Sequence, residues 1–155
     1  MATGMTIRQL CDAASRFSDG TAGNLLLHEI GGPGALTAFT RRLGDTITRM
    51  DRIEPAITEA TPGDPRDTTS PRAFGMDYRK VVLGNVLAAV PREWTVAIKT
   101  GTGDYGILND IAVVWPAKSA PPLLISIMSS KSTKDAAYDQ ALIADGAAYV
   151  MDTLG

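Results

Sequence analysis

The chain has 155 residues, enough for one domain with a hydrophobic core, and its 45% hydrophobic and 21% charged content is ordinary for a globular protein. The formal net charge of −2, without any basic run, argues against a nucleic acid or a membrane surface as partner. One cysteine and one histidine exclude an intrachain disulfide and are too few for an ordinary zinc site, so we expect neither a metal nor a cofactor.

The first part of the chain has the pattern of three helices. Residues 6–17 carry apolar side chains at helical spacing, and the leading threonine with Gln9 forms a predicted capping box. Cys11 lies on the apolar face, where we expect it to be buried. After Ser-Asp-Gly at 18–20, Thr21 is predicted to start a second helix over 22–30. A third is predicted to begin at Pro33 and to end near Gly44.

A long irregular stretch, residues 45–69, follows these helices. Loops of this length inside a compact domain are usually functional or disordered. The opposite charges of Arg52 and Asp67 favour closure of its latter part as an Ω-loop. Ser70 and Pro71 then have the pattern of an N-cap and a first helical residue, and this helix is predicted to run to about Leu83.

Three apolar, β-branched runs predict an antiparallel meander: Trp94–Ile98, Ile107–Trp115 and Leu123–Met128. A final amphipathic helix is predicted from about Asp135 to Leu154. The fold class is therefore α+β, a helical part followed by a three-stranded antiparallel meander and a C-terminal helix.

Between the first two strands lies the sequence Lys99-Thr100-Gly101-Thr102. We interpret it as the polar turn in which the first strand ends, where small residues let a ligand approach closely. The lysine supplies a cation for an anionic group, while hydroxyl and backbone N–H groups suit a carboxylate or an oxyanion. An ordinary hairpin end is the alternative interpretation of these few residues.

Three elements occur in a fixed order: Ser18-Asp19-Gly20, Glu54-Pro55 and Lys99-Thr100-Gly101. Together they resemble the motifs of class A serine β-lactamases, whose motif set is Ser-x-x-Lys, Ser-Asp-Asn and Lys-Thr-Gly. The stretches 21–27, 61–69 and 82–85 are similar to that family as well, so the resemblance covers nearly the whole chain. It is strongest toward actinobacterial enzymes, including the glycine at position 20 where asparagine is usual.

The resemblance implies roles for particular residues. Ser18 would pass a proton to the β-lactam nitrogen, and Glu54 would activate the water that hydrolyses the acyl-enzyme. The substrate carboxylate would be bound by residues of the third motif, namely Lys99, Thr100, Gly101 and Thr102, and the Thr102 N–H would be one oxyanion donor. Structural support would come from Asp19, Asn24, Arg52 and Asp67.

The chain also departs from the family pattern. No serine has a lysine three residues later, so the nucleophile of the family is missing. We expect it to lie before Met1, together with the first strands. The stretch 87–91 joins a helix almost directly to a strand where the family has further helices. Thr58 stands where an asparagine usually positions the hydrolytic water, and Ile98 where an aspartate is common.

We therefore expect residues 1–155 to form a single incomplete domain, with a helical part at 1–87 that includes the Ω-loop 49–69, and a sheet with the C-terminal helix at 91–155. As a β-lactamase fragment the chain would bind a β-lactam but be inactive alone, and an N-terminal complementing fragment or a second copy would be its partner. A non-catalytic module for β-lactams or peptidoglycan-like carboxylates, and a truncated reading frame without function, are the alternatives. The family is secreted or periplasmic, yet the chain shows neither a signal-peptide pattern nor a membrane-spanning stretch.

Overall fold

The computed structural model describes residues 4–83, 96–115 and 121–154. Its elements, in chain order, are α1 (Ile7–Phe17), α2 (Gly20–Glu29), α3 (Pro33–Arg42), a 3₁₀ turn (Ala56–Glu59), α4 (Pro71–Tyr78) continued by a π-helical turn (Arg79–Leu83), β1 (Val96–Gly103), β2 (Ile107–Val114), β3 (Leu123–Ser129) and α5 (Gln140–Leu154). The predicted α+β class, with helices before an antiparallel meander and a helix after it, is confirmed.

The helix boundaries follow from capping side chains. Thr6 and Gln9 form the predicted capping box of α1, and Ser70 caps α4 ahead of its first-turn proline. The second helix begins earlier than Thr21, because the Asp19 carboxylate accepts a hydrogen bond from the Ala22 N–H at 2.9 Å and so caps a helix that starts at Gly20.

Only one residue of helix α1 is buried in the protein core. Leu10 is buried, whereas Ile7 and Phe17 are 53% and 70% exposed. Cys11 is exposed, so the prediction that it is buried was wrong. The apolar residues of α1 do share one face of the helix, as their spacing predicts, but that face borders an open cleft.

The sheet has the order β1-β2-β3, with both pairs antiparallel. Strand β1 extends past the lysine motif, since pairing continues to Gly103, which lies opposite Ile107. The Lys-Thr-Gly segment therefore lies within a strand, and our interpretation of it as a turn was wrong. The turn is formed by residues 104–106, where Gly106 has a φ of 58°.

Helix α4 packs against β3, and α5 packs against β2 and β3. The C-terminal helix begins at Gln140 rather than near Asp135, because the residues before it are bound to the β1–β2 turn. The N–H of Asp135 donates to the Asp104 carbonyl at 2.6 Å, and the N–H of Lys131 donates to the Tyr105 carbonyl at 2.8 Å.

Several predictions fall on residues outside the described part of the chain. These are the short 87–91 connection, residues 84–85 of the family-like stretch 82–85 and the start of the first strand at Trp94. Within the described residues, no helix is long and apolar enough to cross a membrane.

Candidate active site

Ser18 and Lys99 meet although they are far apart in the sequence. The Lys99 amino group donates to the Ser18 hydroxyl oxygen at 2.6 Å and to the Thr100 carbonyl at 2.6 Å. Ser18 ends α1 in the left-handed region, with a φ of 53°, immediately before the Asp19 cap of α2. Few non-glycine residues adopt this conformation, which is common at functional sites. The turn between the two helices thus presents the hydroxyl to the cation on β1.

Glu54 is held by α2 through its backbone. The Asn24 side-chain amide donates to the Glu54 carbonyl at 2.9 Å, and the Glu54 N–H donates to the Asn24 side-chain oxygen at 3.0 Å. Both polar atoms of one amide side chain are therefore used to fix a single residue thirty positions away. Asn24 places Glu54 beside the same cleft that Ser18 borders.

Gly20 brings α2 unusually close to Glu54. A Cβ atom at position 20 would lie 3.0 Å from Cγ and 3.2 Å from Cβ of Glu54. Contacts this short are rare for real Cβ atoms, and the atoms concerned are near the start of the glutamate side chain. A side chain at position 20 would therefore require Glu54 to shift by a few tenths of an ångström, so this glycine allows the close approach of α2 to Glu54.

The loop that carries Glu54 is closed at its base, as the charges of Arg52 and Asp67 predicted. Their Nε and Oδ2 atoms lie 2.5 Å apart, with the side chains 13% and 3% exposed. Asp67 also accepts hydrogen bonds from the N–H groups of Asp51 and Arg52. Burial raises the pKa of Asp67, but the guanidinium and these N–H groups outweigh it and leave the pKa below its ordinary value.

A second contact ties this loop to the sheet. The N–H of Asp104, in the β1–β2 turn, donates to the Thr58 carbonyl at 2.9 Å, and the Thr58 hydroxyl donates to the Pro55 carbonyl at 2.7 Å. A Cβ atom at Gly103 would lie 3.0 Å from the same Thr58 carbonyl. The loop and β1 are thus in direct backbone contact next to the lysine motif.

These pieces enclose an open cleft of about 920 Å³. One side is polar and holds the predicted site residues, Ser18, Asp19, Asn24, Glu54, Lys99, Thr100, Gly101 and Thr102. The other side is apolar and is lined by Ile7, Cys11, Leu26, Ile30, Leu36 and Met50. Leu27 of α2, which is buried, borders this apolar side as well. Arg52 and Asp67 do not line the cleft and act only through the loop.

The cleft has the groups that amide hydrolysis requires, apart from a nucleophile. It offers a cation beside a hydroxyl, a carboxylate that lines the same cleft and an edge strand with exposed polar groups. Among the described residues, no three histidine, cysteine, aspartate or glutamate side chains are grouped closely enough to hold a metal ion.

Comparison with known proteins identifies the family of the chain. The sequence model of the Beta-lactamase enzyme family matches residues 2–89 and 84–154. The chain belongs to the beta-lactamase enzyme family. It is 45% identical to a beta-lactamase of Amycolatopsis lactamdurans over 178 aligned positions, which cover 100% of this chain and 59% of that protein. It is also 45% identical to beta-lactamase AST-1 of Nocardia asteroides, and that match covers 99% of this chain and 56% of that protein.

Solved beta-lactamases have the same fold. The enzyme from Streptomyces albus G is 40% identical, with a TM-score of 0.89, and the match covers 98% of this chain and 65% of that one. A halotolerant bacterial beta-lactamase is 41% identical, with a TM-score of 0.90, and the match covers 97% of this chain and 67% of that one. The chain thus spans rather less than two thirds of the curated relatives. The two matched segments of the family model meet at residues 84–89, next to the predicted internal shortening.

Sequence reasoning missed two features of this site. One is the direct contact of Ser18 with Lys99, and the other is the bond between Thr58 and Asp104. Neither has a local signal, because both depend on how a loop, a helix turn and a strand are placed in three dimensions.

Proposed function

We propose that this chain supplies the proton-transfer and substrate-binding half of a β-lactam hydrolase site, and that it works together with a polypeptide segment that brings the nucleophile. The observation that carries the proposal is the short contact between the Lys99 amino group and the Ser18 hydroxyl in a cleft that Glu54 also lines. Such a set serves an amide cleavage in which the leaving nitrogen must receive a proton.

The proposed reaction has two stages. In the first, a nucleophilic hydroxyl attacks the β-lactam carbonyl and loses its proton to a base on the docked segment. The C–N bond breaks, and the Ser18 hydroxyl gives its proton to the nitrogen and regains one from that base, while Lys99 stabilises the serine oxygen. In the second, Glu54 takes a proton from water, the resulting hydroxide attacks the acyl carbonyl, the ester bond to the nucleophile breaks and Glu54 returns the proton to the nucleophile oxygen. The Thr102 N–H would stabilise the oxyanion in both stages.

The nucleophile is assigned to a segment outside these 155 residues, because no serine here has a lysine three residues later. The apolar side of the cleft supports this assignment, since Ile7 and Ile30 remain 53% and 56% exposed there. Burial of such surface contributes roughly 25 cal/mol per Å², which favours docking of an apolar segment. The outer edge of β3 has no strand partner among the described residues and offers a second attachment point.

Two measurements test the proposal. The chain alone, incubated with a penicillin, should show no acyl adduct by intact-mass spectrometry. Mixed with the part of the Amycolatopsis lactamdurans enzyme that this chain does not match, it should hydrolyse a chromogenic cephalosporin. A stoichiometric adduct on the chain alone would point to a different nucleophile and would contradict the proposal.

Glu54→Gln distinguishes the two stages in that mixture. The acyl-enzyme should form and accumulate, because only its hydrolysis needs the carboxylate. Asp152→Asn removes one negative charge from an exposed part of α5 and is the matched control. Labelling of exposed Cys11 with a thiol reagent reports docking independently, since a segment in the cleft should protect it. Unchanged turnover in Glu54→Gln would show that Glu54 does not activate the water.

A binding module without turnover is the second candidate. It is favoured by the arrangement of Lys99, Thr100 and Thr102 on one strand, which together supply a cation and two hydroxyls for a carboxylate. Saturable penicillin binding by the chain alone, with no hydrolysis in the mixture, would favour this candidate. Sedimentation of the chain at several concentrations would show whether a second copy takes the place of the complementing segment.

As in the family it resembles, we assign the working assembly to the secreted or periplasmic fraction.

A further inference from the structure

The loop that carries the candidate water-activating glutamate is closed on itself by contacts between two arms. Residues 45–53 form the first arm and residues 61–69 the second. The N–H of Arg49 donates to the Thr68 carbonyl at 2.9 Å, and the N–H of Asp51 donates to a carboxylate of the second arm at 2.7 Å. Such contacts fix the two arms relative to each other, but they do not determine where the closed loop lies on the helices.

Met50, between Arg49 and Asp51, bonds to helix α3 instead. The Met50 N–H donates to the Thr37 hydroxyl oxygen at 2.9 Å, and the Thr37 hydroxyl donates to the Met50 carbonyl at 3.1 Å. A hydroxyl has one proton and two acceptor sites, so it can make both bonds at once. One side chain of α3 therefore serves both main-chain polar groups of a loop residue thirteen positions away.

This contact lies shortly before Glu54 in the chain and beside the cleft. The side chains of Met50 and of Leu36, which precedes Thr37 on α3, both line the cleft. Arg41 of α3 also donates to two loop carbonyls at 2.7 Å, but these lie earlier in the first arm. Among the described residues, Thr37 is thus the α3 side chain that holds the first arm nearest to Glu54.

We propose that Thr37 is a positioning residue for Glu54, because its hydroxyl attaches the closed loop to α3 and so determines where the Glu54 carboxylate lies in the cleft. The action of Glu54 on water belongs to the proposed function, on which this inference rests. Thr37 differs from the Arg52–Asp67 pair, which joins two parts of the loop to each other and attaches neither to a helix.

The test compares two substitutions of Thr37 in the complemented assembly. Thr37→Val keeps the shape of the side chain and removes both bonds, so deacylation should slow by at least about threefold, since misplacement by about 1 Å can cost 10²-fold. Acylation should keep the parent rate, because that stage does not use the carboxylate. General destabilisation would instead slow both stages.

A conservative variant and a remote control complete the comparison. Thr37→Ser keeps the hydroxyl and should deacylate at the parent rate. Thr153→Val removes a hydroxyl that bonds within α5, to the Tyr149 carbonyl at 2.7 Å, and should leave both rates unchanged. Intact-mass spectrometry should therefore show the acyl-enzyme accumulating in Thr37→Val alone among these three variants.

Amide hydrogen exchange of the chain alone, followed by NMR, tests the contact without turnover. The Met50 amide should exchange roughly fivefold faster in Thr37→Val than in the parent chain, the factor expected for the loss of one ordinary hydrogen bond. Thr37→Ser should keep the parent rate. The Arg49 amide should stay protected in both variants, because its bond to the second arm remains.

The two measurements separate this inference from the proposed function. A parent mixture without turnover would contradict the proposed function, and exchange at Met50 would then decide whether Thr37 attaches the loop to α3. The inference would be overturned by parent-like exchange at Met50 in Thr37→Val, or by parent-like deacylation in an active mixture. Slow deacylation that persists in Thr37→Ser would also overturn it, since the hydroxyl would then not be the group that matters.

Discussion

Asp77→Asn is predicted to make the chain more stable at neutral pH and to leave it nearly unchanged in acid. Asp77 on α4 and Asp45 after α3 are both buried, at 9% and 7% exposure, and their carboxyl groups are neighbours. Burial and the adjacent Asp45 carboxylate raise the pKa of Asp77 to about 6, although Lys80 and Arg41 oppose this. Oδ2 of Asp77 accepts no hydrogen bond among the described residues.

The direction of the effect follows from the two states of the chain. In the unfolded chain Asp77 titrates near its ordinary pKa of 3.8, whereas in the folded chain it holds its proton to about pH 6. Its stabilising contribution is therefore complete below pH 3.8 and is lost as the pH rises through 6. The rise of about two pKa units, at about 1.4 kcal/mol per unit, corresponds to a loss of up to about 3 kcal/mol in the free energy of unfolding. Asparagine does not titrate, so the Asp77→Asn variant does not lose this stability.

Urea denaturation at one fixed protein concentration, at several values between pH 4 and pH 8, measures this effect. The free energy of unfolding of Asp77→Asn relative to the parent chain should rise across that interval. Asp152→Asn, which removes an exposed carboxylate, should show no such rise. A constant difference between Asp77→Asn and the parent would refute the argument, because it would mean that Asp77 titrates alike in both states.

Two further changes test the placement of Glu54. Gly20→Ala should slow deacylation in the complemented assembly by about threefold or more, because the new Cβ requires Glu54 to shift by a few tenths of an ångström, and misplacement by about 1 Å can cost 10²-fold. Gly23→Ala, with open space around its Cβ, is the matched control, and equal rates for the two variants would contradict this role. In Arg52→Ala, proteolytic cleavage within the 49–69 loop should be about tenfold faster than in the parent chain. The reason is that Asp67 loses its partner in a largely buried ion pair. Cleavage at the parent rate would show that this pair does not hold the loop.

The features that the sequence predicted well are local ones. The capping box of Thr6 and Gln9 involves residues three positions apart, and Ser70 with Pro71 determines the start of α4 within one turn. The closure of the loop by Arg52 and Asp67 is less local, and the stretch 45–69 offers other pairings, since it holds three arginines and six acidic residues. That pair was favoured by the resemblance to the family, whereas the two caps follow from residues that are near one another in the chain.

The features that the sequence did not predict depend on what each residue packs against. Gly101 and Gly103 suggested a turn, yet the pairing of β1 with β2 extends through both, because strand register is determined by the partner strand. Cys11 has the spacing of a core residue, but spacing says only which residues share a face. Whether that face is buried depends on a neighbouring element, and none of those described covers α1 there.

The three candidate catalytic groups differ in how firmly they are held, and this bears on how the site would assemble. Lys99 belongs to a strand that is paired along its whole length with β2. Glu54 is fixed by two hydrogen bonds with Asn24, one donated by each residue, and by a loop with a closed base. Ser18 instead lies in the turn between α1 and α2, and the apolar face of α1 is open to the cleft.

A segment that docks on the apolar side of the cleft would therefore act first on α1. Its burial against Ile7 and Cys11 would restrict α1, and with it the turn that presents Ser18 to Lys99. The two groups that are already fixed would change little. Assembly of the site would then mainly fix the Ser18 hydroxyl in place and add a nucleophile next to it. The loss of conformational entropy within this chain would therefore be confined to the helix pair α1–α2. Under the proposed function, a chain that covers 59% and 56% of two curated relatives would hold one half of the site already formed.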